Sequence, residues 1–196
     1  MYITTGQLDI KGYLESCPSW EKLIAVSSTA LNELTVSPEA AACWGPGTEL
    51  VITSHTRSME DRQVVTVVSS DTTTGKVVLA ETIAKPITLE DSLDFAVEIA
   101  SLTRPVVFEG EVDDSVGGHL IVFHTQTPQH IEGVEIRHFG QQGILGKYPV
   151  HFHGCHDSPG SIVKNNVVRE SLQRGFMIHG TNQVTLIGNV AFDIVG

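Results

Sequence analysis

Two stretches of the chain repeat one short pattern: "NNVVRE" at residues 165–170 and "GNVAFD" at residues 188–193, which begin 23 residues apart. "FEG" at 108–110 and "IEG" at 131–133 are separated by the same 23 residues. A period in the low twenties, built from short strands with small polar residues at the corners, is typical of a parallel β-solenoid. A β-sandwich in which these similarities arise by chance is the alternative.

The longer gap between the two pairs coincides with a histidine-rich stretch. From Gly133 to Asn166 the chain advances 33 residues, one period plus ten more. The extra residues fall in "GQQGILGKYPVHFHGCHDSPG" (140–160). Coils of a solenoid stack at a strand spacing of about 4.8 Å, so we expect Asn166 to lie over Asn189 in a corner ladder of asparagines.

The rest of the chain also predicts an all-β fold. No stretch keeps the 3.6-residue apolar period for the dozen residues that a helix prediction requires, and short β-rich runs such as "RQVVTVVSS" (62–70) dominate. Residues 44–103 lack the 23-residue period. They are predicted to form three strands joined by turns, which indicates a small antiparallel β insertion.

Composition and charge bear on the partners of the chain. Of its 196 residues, 41% are hydrophobic, and no apolar run reaches the length of a membrane span. The net charge of −11 argues against a nucleic-acid partner, because phosphate binding needs concentrated Lys and Arg. Residues 130–196 nevertheless hold five basic and five acidic side chains, so an anionic ligand can approach this part. Three cysteines, Cys17, Cys43 and Cys155, leave one unpaired within the chain.

The chain resembles a known family over nearly its whole length. "GQLDIKG" followed by "SWEKL" is similar to the exit from that family's eight-glycine domain, and "WGPGTELVITS" (44–54) and "ASLTRPVVFEGE" (100–111) resemble later segments in the same order. The most specific match is a "GQ…YP.HFH…IHGT" pattern, present here in residues 140–181. The family is that of the cell-migration-inducing hyaluronan-binding protein, its transmembrane hyaluronidase relative and fibrocystin-L. This chain departs from it at Gly154, where the family usually has a leucine-like residue.

The resemblance implies a right-handed parallel β-helix with extracellular or cell-surface work on carbohydrate, so we expect a polysaccharide partner. It also implies that the chain is a piece of a longer multidomain protein, with the signal sequence elsewhere. On this basis residues 1–43 are expected to hold the exit of an eight-glycine-type domain and the first β-helix segments. Residues 44–103 are the antiparallel module, and residues 104–196 are β-helix coils that stay incomplete at the C-terminal end.

The histidines supply the strongest candidate site. His151 and His153 lie two apart on a predicted strand, so both imidazoles leave one face. Aligning "FMIHGT" with "YPVHFH" places His179 on His151, and Asp157 is a short turn away. His151, His153 and His179 are therefore predicted ligands of a divalent ion such as Zn²⁺, Ni²⁺, Mn²⁺, Fe²⁺ or Ca²⁺. Metal-free acid–base catalysis by the same three histidines with Asp157, or a merely polar ladder, are the alternatives.

Three further side chains are predicted to bind substrate. Lys147 and Arg174 flank the two aligned segments, where cations can bind the carboxylates of an acidic polysaccharide. Tyr148 lies between Lys147 and the histidines. Solvated surface charges are the alternative for either cation. His124 is a candidate of second rank, which would join the histidines if the alignment is off by one residue.

The type of reaction is left open by the sequence. Glycosidases use two carboxylates, and Asp157 is the best candidate, because Glu132, Glu135, Glu170 and Asp193 have no distinctive pattern. A lyase needs only a histidine or lysine base and a charge-neutralising cation. The leading hypothesis is an extracellular β-helix that binds and depolymerises a hyaluronan-like polysaccharide. The second is a non-catalytic cell-surface or matrix module that binds glycan or protein.

Overall fold

A computed structural model describes residues 1–12, 16–54, 56, 58–85, 87–89, 96–111 and 116–196 of the chain. The chain divides into two compact units. Met1–Leu14 together with Arg104–Gly196 form the first, here named the coil unit, and Glu15–Thr103 form the second, the antiparallel unit. Each unit has its own hydrophobic core.

The described ranges are built almost entirely of short strands. In chain order these are β1 (Tyr2–Ile3), β2 (Asp9–Lys11), β3 (Trp20–Lys22), β4 (Ala25–Val26), β5 (Glu33–Thr35), β6 (Glu49–Ile52), β7 (Gln63–Ser70), β8 (Lys76–Leu79), β9 (Glu98–Ser101), β10 (Val106–Glu109), β11 (Leu120–Phe123), β12 (His130–Glu132), β13 (Val134–Arg137), β14 (Val150–Asp157), β15 (Ile162–Lys164), β16 (Val167–Ser171), β17 (Phe176–Asn182), β18 (Thr185–Ile187) and β19 (Val190–Ile194). Helix α1 (Pro38–Cys43) and a 3₁₀ turn at Met59–Asp61 complete the set. Neither helical segment has the length of a transmembrane span.

The coil unit consists of three four-stranded parallel sheets. Their strand orders are β1–β11–β14–β17, β2–β12–β15–β18 and β10–β13–β16–β19. From β11 onward the chain visits the three sheets in turn, so that each passage adds one strand to every sheet. The prediction of an all-β fold is confirmed, and this parallel strand order fits a β-helix. Its core holds fully buried Val122, Ile136 and Phe152.

The strand registers confirm one of the two predicted 23-residue steps and correct the other. Val167 pairs with Val190, a step of 23. Phe108, however, pairs with Ile136, a step of 28, so the alignment of "FEG" with "IEG" was wrong. The reason is that the two glycines occupy different places: Gly110 follows the end of β10, whereas Gly133 is the corner between β12 and β13.

The predicted asparagine ladder is present at a corner of the coil unit. Asn166 is fully buried, and its Oδ1 accepts a hydrogen bond from the Val134 amide at 2.9 Å. Its Nδ2 donates to the Ile131 carbonyl at 2.7 Å and to Oδ1 of Asn189 at 3.0 Å. Buried backbone groups need such partners, because an unpaired one loses its hydration without compensation. The ladder therefore ties three successive coils together.

The antiparallel unit is a seven-stranded sheet in the order β3–β9–β6–β7–β8–β5–β4, with α1 packed against it. Ser37 caps α1, its side chain accepting from the Ala40 amide, and Pro38 takes the first turn. This unit begins before residue 44, the boundary expected from the sequence, because β3, β4 and β5 complete the edges of the sheet. The end of an eight-glycine-type domain within 1–43 stays a prediction.

The cysteines divide between the two units. Cys17 and Cys43 form a disulfide in the antiparallel unit. Cys155 remains a free, buried thiol in the core of the coil unit, where its Sγ lies 3.5 Å from the Val122 carbonyl. The one unpaired cysteine that the count required is therefore a core residue.

We predict that Asn166→Ala destabilises the coil unit by about 2 to 4 kcal/mol, because it strands the buried Val134 amide and Ile131 carbonyl. Asn182→Ala is the matched control, since this exposed side chain makes one hydrogen bond, to Asp157. It should cost less than about 0.5 kcal/mol. Urea unfolding followed by circular dichroism measures the free energy of unfolding of both variants. Equal losses would contradict a stabilising role of the Asn166 hydrogen bonds.

Candidate functional site

Strand β14 presents two of the predicted histidines on one face. Val150 and Phe152 are fully buried in the core, and they alternate with His151 and His153, which leave the opposite side of the strand. The His151 and His153 rings lie 5.0 Å apart, nearly perpendicular. The prediction that both imidazoles share a face is confirmed.

The third histidine, His179, lies beside this pair, but the pairing of β14 with β17 is shifted by two residues from the predicted register. His179 pairs with His153, and His151 pairs with Met177, so the alignment of His179 with His151 was wrong. A shift of two keeps apolar side chains inward in either register, so the apolar alternation could not exclude it. In the register that is formed, Gly154 and Gly180, directly after His153 and His179, lie next to each other, and both have left-handed backbone, with φ of 60° and 56°.

The three imidazoles form a compact cluster, named here the imidazole group (His151, His153 and His179). One ring nitrogen of each lies within 4.8 Å of the others. Nδ1 of His153 is 3.0 Å from Nδ1 of His179, a hydrogen bond in which one ring donates and the other accepts. Nδ1 of His151 donates to the Gly146 carbonyl at 3.0 Å, because a carbonyl only accepts. The Nε2 of His151 therefore carries the lone pair.

Beside the imidazole group lies a pocket of about 300 Å³. Its lining consists of the three imidazoles, a loop, an aromatic ring, a cation and a thioether: Leu145, Gly146, Tyr148, His151, His153, Arg174, Met177 and His179. Two of the three side chains predicted to bind substrate, Tyr148 and Arg174, are thus in the lining. Lys147 is not, because its Nζ is held by the Tyr2 hydroxyl at 2.6 Å and by Nε2 of His119 at 3.2 Å.

The predicted carboxylate does not join this cluster. Asp157 lies exposed at the end of β14, where its Oδ1 accepts from Asn182 at 3.2 Å. Glu135 is buried in another sheet and binds Nε of Arg169 at 2.8 Å. Glu170 is 3.1 Å from the His138 ring. Among the residues that the structure describes, no carboxylate belongs to the imidazole group.

The protonation of His151 and His153 follows mainly from their burial. Burial lowers the pKa of His151 below the usual 6.5, and the charges of His153 and His179 lower it further, against an opposing effect of the Gly146 hydrogen bond. The pKa of His153 is lowered by burial and then by His179 and His124. Both rings are therefore neutral at pH 7, with lone pairs available to a proton or a cation.

A fourth imidazole lies next to the group. The His124 ring stacks on Phe123 with centroids 3.9 Å apart and is nearly parallel to the His153 ring at 6.2 Å. It occupies the space above Gly154, where a Cβ would come within 2.7 Å of the ring. The sequence carried a signal for this arrangement: Gly154 replaces the larger residue of the related pattern, and His124 fills the room that it leaves.

We predict that Gly154→Ala displaces the His124 ring. Gly180→Ala is the matched control, because its backbone is equally left-handed but its Cβ would meet atoms only at 3.5 Å, an ordinary contact. Both variants bear the left-handed strain of about 1 to 2 kcal/mol. Only Gly154→Ala should shift the imidazole NMR signals of His124 and His153. Unchanged signals in that variant would contradict the placement of His124.

A pH dependence of stability is predicted from the lowered pKa of His151 and His153. Below about pH 6.5 the unfolded chain binds more protons than the folded one, so the stabilisation present above that pH is lost as the pH falls towards the folded pKa. The urea midpoint, measured with a chelator present, should fall between pH 7.5 and pH 5. His151→Asn keeps a donor near the position of Nδ1 for the Gly146 carbonyl and should flatten this slope. An unchanged slope would contradict the prediction.

Comparisons with known proteins agree with the fold and with the sequence pattern. Residues 115–196 match the family model described as CEMIP beta-helix. Human "Cell surface hyaluronidase CEMIP2" is 31% identical over 180 residues, which is 78% of this chain and 13% of that protein. The zebrafish (Danio rerio) "Cell surface hyaluronidase" is 27% identical over 198 residues, 88% of this chain and 14% of that protein.

A relative from Dictyostelium discoideum, "Protein rliB", is 36% identical over 106 residues, which is 53% of this chain and 9% of that protein. The chain thus spans less than a fifth of the length of these relatives. The family-model match covers the strands that carry the imidazole group. The match to the human relative over 78% of the chain and the family-model match together show that the chain belongs to the CEMIP family, with residues 115–196 in that family's β-helix.

Proposed function

We propose that the chain forms part of an extracellular or cell-surface, right-handed β-helix that binds and depolymerises a hyaluronan-like polysaccharide. The observation that carries the proposal is the imidazole group, three histidines gathered at one pocket in the segment matched to the CEMIP β-helix. Two relatives named cell surface hyaluronidase support the class of substrate. Both are much longer proteins, so further domains would complete the whole molecule.

The pocket suits a sugar ring that carries a carboxylate. Arg174 and Tyr148 line it, and a guanidinium binds carboxylates through two parallel hydrogen bonds. Among the described residues Arg174 has no acidic partner, so its charge is available to a ligand. The rings of Phe123, His153 and His179 stack face to face in a row, with centroids 5.4 Å and 4.8 Å apart, so the row presents ring edges and imidazole nitrogens to a ligand.

A divalent metal ion is part of the proposal, and the imidazole group fits one. Three ring nitrogens within 4.8 Å of one another suit Zn²⁺, Ni²⁺, Fe²⁺ or Mn²⁺. Ca²⁺ prefers six or more oxygen ligands, so an all-imidazole set does not favour it. The hydrogen bond from His151 to the Gly146 carbonyl resembles the second partner that metal-binding histidines usually have. When bound, the ion would supply Lewis-acid stabilisation of a developing negative charge.

The chemistry of the residues favours elimination over hydrolysis. Hydrolysis by two carboxylates requires a pair of acids, and Asp157 lies outside the imidazole group, paired with Asn182. A lyase instead needs a base that takes the proton from the carbon bearing the uronate carboxyl. A double bond then forms to the neighbouring carbon, the C–O bond on that carbon breaks, and the departing sugar oxygen takes up a proton. In the metal-free form His151 is suited to that role, because its Nδ1–H is held by Gly146 and its Nε2 is unprotonated. The same Nε2 is the only atom that His151 offers to a metal ion, so its roles as base and as metal ligand exclude each other. Arg174 would hold the carboxylate during the transfer.

A non-catalytic glycan-binding module is the second candidate function. One observation favours it: no described carboxylate joins the imidazole group, so the usual acid of a glycosidase is missing from this part of the chain. In this case the stacked rings and Arg174 bind the polysaccharide without turnover.

The proposal predicts depolymerisation of hyaluronan by the chain. Stoichiometric transition metal in the purified protein would assign His151 to the metal ion, and activity without metal would assign it to the base. His151→Ala and His153→Ala should each lower the rate at least about 100-fold, because general acid–base groups contribute factors of this size. Elimination would give unsaturated chain ends that absorb in the ultraviolet, whereas hydrolysis would give reducing ends alone. Elemental analysis should show the metal lost from both variants.

His156→Asn is the control for these substitutions. His156 is exposed on the same strand, and its left-handed backbone, with φ of 56°, is tolerated by asparagine. Its rate and metal content should stay unchanged. Binding of hyaluronan that survives His151→Ala and His153→Ala, with no new chain ends from the unsubstituted protein, would overturn the enzyme in favour of the binding module.

A further inference from the structure

Lys147, Tyr2 and His119 form a second cluster of polar side chains on the coil unit. Nζ of Lys147 donates to the Tyr2 hydroxyl at 2.6 Å and to Nε2 of His119 at 3.2 Å. The Tyr2 ring also lies edge-on to the His119 ring, with centroids 5.2 Å apart, and the ammonium lies 5.1 Å from the Tyr2 ring centroid. These contacts hold the three side chains together, although Tyr2 lies more than 100 positions before His119 and Lys147 in the sequence.

The hydrogen bonds of this cluster leave two donors beside one positive charge. A lysine ammonium has no lone pair, so both the Tyr2 oxygen and Nε2 of His119 must accept from it. The third proton of Lys147 and the Tyr2 hydroxyl proton make no hydrogen bond with any described residue. The proton of neutral His119 is on Nδ1, on the far side of the ring from Nζ, so His119 orients the ammonium. Two donors beside a positive charge suit an anion.

The charge of Lys147 is not used within the protein. No described carboxylate pairs with it, whereas two arginines of the coil unit are paired, Arg137 with Glu109 at 2.9 Å and Arg169 with Glu135 at 2.8 Å. His119 adds no positive charge of its own, because burial, and then Lys147, lower its pKa. Lys147 therefore keeps an uncompensated charge that is half-buried and accessible.

The cluster lies on the same sheet as the imidazole group. Tyr2 pairs with Ile121, and Ile121 with His151, so the three residues form one row across β1, β11 and β14. Two strand spacings, about 9.6 Å, separate the Tyr2 and His151 backbones. Lys147 adjoins Tyr148 of the pocket lining. A linear polymer that lies across the strands can thus contact both places at once.

We propose that Tyr2, His119 and Lys147 form a second binding subsite, which takes a carboxylate of an acidic glycan two strands away from the imidazole group. The assignment rests on the proposed function, since it extends the binding surface that begins at the pocket beside the imidazole group. It makes this surface selective for a polyanion with regularly spaced carboxylates, and it gives Lys147 a binding role at a distance from the imidazole group. The subsite binds and orients the polymer and takes no part in bond cleavage.

The test measures the affinity of the full chain for hyaluronan oligosaccharides and for the same oligosaccharides with their carboxyl groups reduced to alcohols. Lys147→Gln should weaken binding of the acidic form about 3- to 10-fold, the size of one partly exposed charged hydrogen bond. Tyr2→Phe, which keeps the ring, should weaken it about 2- to 3-fold. Binding of the reduced form should be the same in all these proteins, and Lys147→Gln should show a weaker dependence on salt.

Lys11→Gln is the matched control, because it removes the same charge from β2, in a different sheet of the coil unit. It should leave the affinity unchanged. An equal loss in Lys11→Gln, or an equal loss for the reduced oligosaccharides, would overturn the subsite. If Lys147→Gln binds normally while His151→Ala stops depolymerisation, the subsite is wrong and the proposed function stands. If the unsubstituted chain binds no hyaluronan, both the proposed function and the subsite are wrong.

Discussion

Parallel backbone pairing between β14 and β17 is the constraint on which the candidate site depends. It holds His153 opposite His179 and so brings their Nδ1 atoms to 3.0 Å. Gly154 and Gly180, both left-handed, follow these two histidines, and the ladder resumes at His156 and Thr181 after an irregularity. The core below, with Phe152 fully buried, keeps the alternate side chains facing outward. The imidazole group therefore results from the stacking of coils, because the pairing of β14 with β17 positions His179 beside His153.

Burial separates two kinds of polar chemistry within the coil unit. One sheet carries a buried ion network around Glu135 and Arg169, where burial lowers the pKa of nearby Arg104 to about 10 and leaves it charged at neutral pH. The neighbouring sheet carries His151 and His153, whose pKa values are lowered chiefly by burial and which pair with no described carboxylate. The first arrangement joins the coils. The second leaves reactive groups at a pocket, as a binding or catalytic surface requires.

Much of this could be read from single residues and their spacing. The pairing of Asn166 with Asn189 followed from a 23-residue step, and the shared face of His151 and His153 followed from alternation along a strand. The steps of irregular coils could not be read in that way. Phe108 pairs with Ile136 after 28 residues because loop length between strands varies, and similar short strings such as "FEG" and "IEG" can occupy different corners.

The sequence by itself determined the all-β class, the parallel coils, the set of histidines and the family, because each depends on local alternation or on a long ordered pattern. Only the tertiary structure decided which histidines touch, that Asp157 stands apart, that β3 to β5 complete the antiparallel sheet, and that Lys147 meets Tyr2 across 145 positions. The physical reason is the period of two in a strand. A register shifted by two residues buries the same side chains equally well, so only contacts distant in sequence select the register that is formed.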